Sequence, residues 1–151
     1  MELTSPAFTE GGEIPSRFSC DGDNISPELQ WSDVPDNTRS LVLIMDDPDA
    51  PGGTFTHWVV YDLPAQLTGL AENVVPEPAN SPGFRQGENS FGKIGYGGPC
   101  PPGGTHRYYF RLYALDTEFR DLGNVRSSQL ARTMEGHIID QAVLMGKYSR
   151  S

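Results

Sequence analysis

Two aspartates, two histidines and a tyrosine stand beside Gly/Pro-rich loops in three short stretches of this chain. The first is Asp46-Asp47-Pro48-Asp49-Ala50-Pro51, and the second is Thr56-His57-Trp58. The third runs from Gly97-Gly98-Pro99-Cys100-Pro101-Pro102 through Gly103 and Gly104 into Thr105-His106-Arg107-Tyr108. Imidazoles titrate near neutral pH and donate to anions, most strongly when protonated. A neighbouring carboxylate favours the charged ring, and Asp47 is the candidate for that role. A Tyr108 phenol and backbone amides at Gly97 and Gly98 are further donors to an anion. Asp49, or the second oxygen of Asp47, offers an acceptor for an ammonium group. The set suits a small anionic or zwitterionic ligand.

Each residue also has a plain structural use. Asp47 and Asp49 around Pro48 are ordinary turn formers, His57 and His106 fit half-buried strand positions, and the glycines fit tight turns. His137 reads as a structural helix residue.

For the polar groups to converge, strands must carry them to one rim. Ser40-Leu41-Val42-Leu43-Ile44-Met45 is almost wholly apolar, the pattern of a strand buried on both faces. Side chains alternate along a strand, so Leu41, Leu43, Met45 and Asp47 share a face. The same parity groups Phe55, His57, Val59 and Tyr61, with Trp58 on the opposite face in the core. It also groups His106, Tyr108, Phe110 and Leu112. Strands are predicted at 17–19, 29–31, 40–46, 57–62 and 107–115, with a loop-rich surface crossing over 74–89. Ser127 or Ser128 is placed to cap a helix running to about Met145. Leu130, Met134, Ile138 and Val143 fall near helical spacing, Gly136 marks a bend, and Gly146 ends the helix.

A chain of 151 residues suits one domain, 1–151, with a sizeable core. The 17 glycines and 13 prolines scattered among short apolar runs suggest many strands joined by turns. A net charge of −9 sets the surface against nucleic acid and anionic bilayers. With no apolar run of membrane-spanning length and no signal-peptide pattern at the start, the expectation is a soluble, cytoplasmic protein without integral membrane contact. Cys20 and Cys100 lack metal-ligand spacing. They permit one disulfide, but free thiols are the default in that compartment, and both lie in turns that flank the pocket.

The ordered motifs Asp47-Pro48-Asp49-Ala50-Pro51, His57, Gly97-Gly98-Pro99 and His106-Arg107-Tyr108 resemble the phosphatidylethanolamine-binding protein family, also called the Raf kinase inhibitor protein family. Cys20-Asp21-Gly22, Ile25-Ser26-Pro27, Leu29-Gln30-Trp31, Asn89-Ser90-Phe91-Gly92 and Gly136-His137-Ile138 resemble its bacterial and archaeal branch. The resemblance runs from about Phe8 to Tyr148. It implies a mainly β fold, a two-sheet antiparallel β-sandwich with one or two peripheral helices near the C-terminus. It also implies a ligand pocket made by Asp47, Asp49, Phe55, His57, Gly97, Gly98, Cys100, His106 and Tyr108. Phe55 and Cys100 stand where animal members carry Trp and a second Pro, so the rim differs.

The leading reading is a non-enzymatic binding protein for a phosphoethanolamine-like ligand that inhibits or modulates a kinase or serine protease, with no cofactor. The alternatives are a metal-dependent hydrolase using the two His and two Asp, or a scaffold with a vestigial pocket. The sequence contains no Gly-x-Ser-x-Gly, HExxH, P-loop or dinucleotide fingerprint.

Overall fold

The computed structural model describes residues 1–75, 83–119 and 125–150. Their backbone forms β1 (Glu2–Thr4), β2 (Leu29–Ser32), β3 (Ser40–Asp47), β4 (Phe55–Pro64), β5 (Gly69–Leu70), β6 (Arg85–Gln86), β7 (Thr105–Leu115), α1 (Ser127–Met134) and β8 (Ile138–Ser149). Antiparallel pairing builds a small sheet of order β1-β2-β5 and a large one of order β6-β4-β3-β7-β8. The mainly β, two-sheet architecture expected above is therefore found, with a single α-helix among the described residues.

β3 is central in the large sheet, which explains its unbroken apolar run. One of its faces, with Leu41, Leu43 and Met45, packs in a core with Trp58, Val60, Phe110 and Leu112. Leu3, Leu29, Trp31 and Leu70 of the small sheet close that core. The other face, with Val42 and Ile44, joins Val59, Tyr61, Leu130 and Met134 under α1. Fully burying an aliphatic or aromatic side chain of this size is worth about 1.5–3 kcal/mol relative to leaving it exposed.

Two predicted elements differ. Residues 17–19 are not a strand: Ser16–Phe18 makes a single 3₁₀ turn, which Ser19 closes by donating Oγ to the Ser16 carbonyl at 2.7 Å. The helix predicted to reach Met145 stops at Met134. Gly136 takes φ +80°, a left-handed conformation that favours glycine and ends the helix. The chain then becomes the twelve-residue β8, paired with β7 along almost its whole length. Gly146, expected as a helix end, stands opposite Tyr108 in that ladder. Neither serine caps α1. Arg126 precedes the helix, and its backbone N–H donates to Gln129 Oε1 at 3.1 Å, while Ser127 Oγ meets Thr56 Oγ1 at 2.9 Å. Of the predicted surface crossing at 74–89, residues 76–82 lie outside the described residues, and Arg85–Gln86 is a short strand on β4.

Cys20 and Cys100 form a disulfide, with Cα atoms 5.4 Å apart, which corrects the expectation of free thiols. The turn after the 3₁₀ segment and the Gly/Pro loop before β7 are already drawn together by Cys20 N–H donating to the Pro99 carbonyl at 3.0 Å. No helix among the described residues is long and apolar enough to cross a membrane.

Candidate functional site

The two histidines reach one cavity by different routes. On β7 the alternation is regular: His106, Tyr108, Phe110 and Leu112 are buried on the face that meets the small sheet. On β4 it is not. Met45 pairs with Trp58 but Asp46 pairs with Thr56, so His57 is an extra residue in a β-bulge. A bulge re-aims the side chains around it. His57 therefore packs against Tyr108 on the core side, while Val59 and Tyr61 face α1. The parity that grouped His57 with Val59 and Tyr61 fails here for that reason. Trp58 is core as expected, but on the same side of the sheet as His57.

The cavity measures about 180 Å³ and is lined by Asp47, Ala50, Pro51, Phe55, His57, Phe91, Cys100, Pro101, Pro102, His106 and Tyr108. Its polar groups are held by specific bonds. His106 Nδ1–H donates to Asp47 Oδ2 at 2.6 Å, and Asp47 Oδ1 accepts the Asp49 backbone N–H at 2.8 Å. His57 Nδ1–H donates to the Gly97 carbonyl at 2.7 Å. In both rings these bonds fix the tautomer and leave Nε2 as the nitrogen to meet a ligand. The Tyr108 ring lies between the imidazoles, with centroids 5.3 Å from His57 and 6.4 Å from His106. Tyr108 is fully buried, and its hydroxyl completes no hydrogen bond of good geometry, although the Asp47 carboxylate lies close enough to act on it. A buried donor left unpaired costs free energy of about 1–3 kcal/mol, which an arriving acceptor would relieve.

Burial pushes the His57 pKa below its usual value, against the opposing pull of the Gly97 carbonyl and the Asp47 charge. The shift favours the neutral ring at His57. Burial, reinforced by the negative charges of Asp47 and Asp49, raises the Tyr108 phenol well above its usual range, so it remains a donor.

Asp47, Phe55, His57, Cys100, His106 and Tyr108 thus line one cavity, whereas Asp49, Gly97 and Gly98 do not. Asp49 is engaged by Arg107, which donates Nε and its backbone N–H to Oδ2 at 2.9 Å each and a terminal nitrogen to Oδ1 at 2.7 Å. These bonds hold the Asp49 carboxyl at a pKa of about 2. Asp49, read from sequence as a candidate ammonium acceptor, is thus paired with Arg107 and does not line the cavity. The Gly97 and Gly98 amides are also occupied, donating to the His57 carbonyl at 2.9 Å and to Asn24 Oδ1 at 2.8 Å. Their role is to build the wall. A Cβ on Gly98 would sit 2.2 Å from the Phe18 carbonyl oxygen and 2.5 Å from Asn24 Oδ1. Gly98→Ala is accordingly expected to lower stability by about 1–3 kcal/mol through overpacking, read as a lower midpoint in thermal or denaturant unfolding.

Sequence reasoning did not assign Phe91 to the pocket, whereas Pro51, Pro101 and Pro102 fall within the stretches that it read as the walls. Phe91 lies on a separate loop, which the Ser90 N–H ties to the Thr56 carbonyl at 2.8 Å. No strand periodicity could have pointed it inward. Among the described residues, no three of His, Cys, Asp and Glu are grouped to hold a metal ion.

Comparison with known proteins agrees with this fold. The family model described as phosphatidylethanolamine-binding protein matches residues 4–149. A UPF0098 protein of Methanothermobacter thermautotrophicus is 50% identical over 151 residues, 99% of each chain. One from Aquifex aeolicus is 51% identical over 153 residues, covering 99% of this chain and 89% of its own. Among solved structures, the PEBP homologue CT736 of Chlamydia trachomatis superposes with a TM-score of 0.92 at 46% identity, over 99% of this chain and 97% of that one. YbcL of E. coli, described as a member of the mammalian PEBP family, gives 0.90 at 32% identity, over 99% and 98%. The chain belongs to the phosphatidylethanolamine-binding protein family.

Proposed function

We propose that this chain is a binding protein for a small anionic headgroup of the phosphate-monoester kind, held in the cavity between β3, β4 and β7. The observation that carries the reading is the buried Tyr108 hydroxyl, an unpaired donor on a cavity lined by two imidazoles whose Nδ1 atoms are already engaged. An anion arriving with a proton shared at His106 Nε2 completes a line of alternating charge: Asp47 carboxylate, imidazolium, anion. Tyr108 donates to a second oxygen, and His57 becomes a further donor once protonated. The family's description supplies the phosphoethanolamine headgroup as the natural comparison ligand. Inhibition or modulation of a kinase or serine protease, as the Raf kinase inhibitor-like resemblance implies, is the proposed consequence of binding.

The reading requires a proton at imidazole nitrogens. Affinity for inorganic phosphate should fall as pH rises from about 5.5 to about 8.5, across the usual histidine range. The depressed His57 pKa places its contribution at the acid end of that window. The expected loss is about tenfold or more, the worth of one charge-assisted hydrogen bond. Titration calorimetry, corrected for the second ionisation of phosphate, measures it. A corrected affinity that stays level would contradict imidazolium donors.

A further inference from the structure

The cavity is polar only at its floor. Asp47, His57, His106 and Tyr108 are each more than nine-tenths buried there, and the other side chains that line the cavity are apolar. Ala50, Pro51, Pro101 and Pro102 contribute hydrocarbon to the walls, and Cys100 is in a disulfide. Phe55 and Phe91 meet edge to face at 4.7 Å, and Phe91 also packs edge-on against His57 at 5.5 Å. Phe91 is nonetheless 46% exposed, one of few large apolar side chains so placed among the described residues. A phenylalanine held by aromatic neighbours at a cavity mouth, yet half in water, offers surface for an occupant to cover.

The same site is poor in acceptors for a cation. Among the described residues Asp47 is the only carboxylate that lines it, and its two oxygens already accept from His106 and from the Asp49 amide. Asp49 is turned to Arg107. An ammonium arm entering with the anion would lose its hydration against Pro and Phe and find no free carboxylate, with only a cation–π contact to the phenylalanine rings in return.

We infer that the pocket selects an anion joined to an apolar arm, alkyl or aryl, over one carrying an ammonium arm, and that Phe91 is the residue that sets this preference. The inference rests on the anion-binding reading and specifies the other half of the ligand. The net charge of −9 opposes docking on an anionic bilayer, so the arm belongs to a free small molecule.

Propyl phosphate and phosphoethanolamine test this cleanly, because they differ by a methyl in place of an ammonium. Calorimetric titration of the wild type with inorganic phosphate, propyl phosphate and phosphoethanolamine should rank propyl phosphate first, tighter than phosphoethanolamine by about tenfold or more. Phe91→Ala should bring those two esters within about threefold of each other. Because Phe91 is half exposed, the variant should retain the wild-type melt. Phosphoethanolamine binding as tightly as propyl phosphate, or a preference that survives Phe91→Ala, overturns the inference while the anion site stands. Failure of all three probes to bind overturns both readings. Co-sedimentation with phosphatidic acid vesicles should leave the chain in the supernatant, and sedimentation would overturn the free-molecule source.

Discussion

Replacing His106 by alanine should abolish phosphate binding while leaving the sandwich folded. The loss has two parts. A hydrogen bond between the ring and a charged oxygen is worth about 1.5–3 kcal/mol, or roughly tenfold to more than a hundredfold in affinity. In addition, His106 stands between Asp47 and the cavity, bonded to Oδ2 at 2.6 Å. Without it an incoming anion meets a bare carboxylate, so a hundredfold loss or more is expected. The cost to stability should be about 1–3 kcal/mol, because Asp47 loses a partner but water can reach it through the cavity. His106→Gln places an amide donor near Asp47 and should recover part of the stability without recovering binding. Thermal melts paired with calorimetry on both variants read the two effects separately. Undiminished phosphate affinity in His106→Ala would remove His106 from the site.

Removing the disulfide should produce the largest change in stability. Cys20 and Cys100 are 80 residues apart in sequence, and closing a loop of that length restricts the unfolded chain by about 4–5 kcal/mol in the chain-entropy account. The Cys20→Ser, Cys100→Ser double variant should lose about 2–5 kcal/mol, a fall in melting midpoint on the order of 10 °C. The native wall should nevertheless hold its shape. Cys20 N–H still reaches the Pro99 carbonyl, Gly98 N–H still reaches Asn24, and Tyr96 Oη still donates to the Phe18 carbonyl at 2.6 Å. Phosphate affinity at a temperature well below the midpoint should therefore change little. Guanidinium unfolding of the oxidised, reduced and double-variant proteins checks the first statement. An unchanged midpoint would mean that the unfolded chain gains no freedom from the loss.

The elements that the sequence makes plain are those whose local pattern and long-range environment agree. β3 is apolar on both faces because it has a core on each side, and β7 alternates because one face is buried and the other carries Arg107 and Arg111. Those two strands put Asp47, His106 and Tyr108 at one rim, as their parity requires. The failures have physical causes outside the local pattern. The spacing of Leu130, Met134, Ile138 and Val143 suits a helix, but Ala142, Leu144 and Tyr148 are buried alternately in β8. Positive φ at Gly136 breaks the helix before that spacing can act. Nothing in Phe55-Thr56-His57-Trp58 announces the bulge that turns His57 and Trp58 to the same side. The capture of Asp49 by Arg107, 58 residues away, is a tertiary event that removes a carboxylate from the ligand inventory. The same holds for the Gly98 amide, taken by Asn24. His57 reached the site despite the failed parity, because its motif placed it there and the bulge supplied the geometry.

The central claim is that His57 and His106 hold their Nδ1 protons inward and meet an anion through Nε2. Imidazole ¹⁵N NMR of the folded protein, titrated with inorganic phosphate, reads those atoms directly. Without phosphate at neutral pH, His57 should show a protonated Nδ1 and a bare Nε2. Saturating phosphate should move the Nε2 resonances of both rings toward the protonated position and leave His137, which is exposed and bonded to Asp116 at 2.8 Å, unchanged. Nε2 resonances of His57 and His106 that do not respond to phosphate, or that respond no more than His137, would contradict the account.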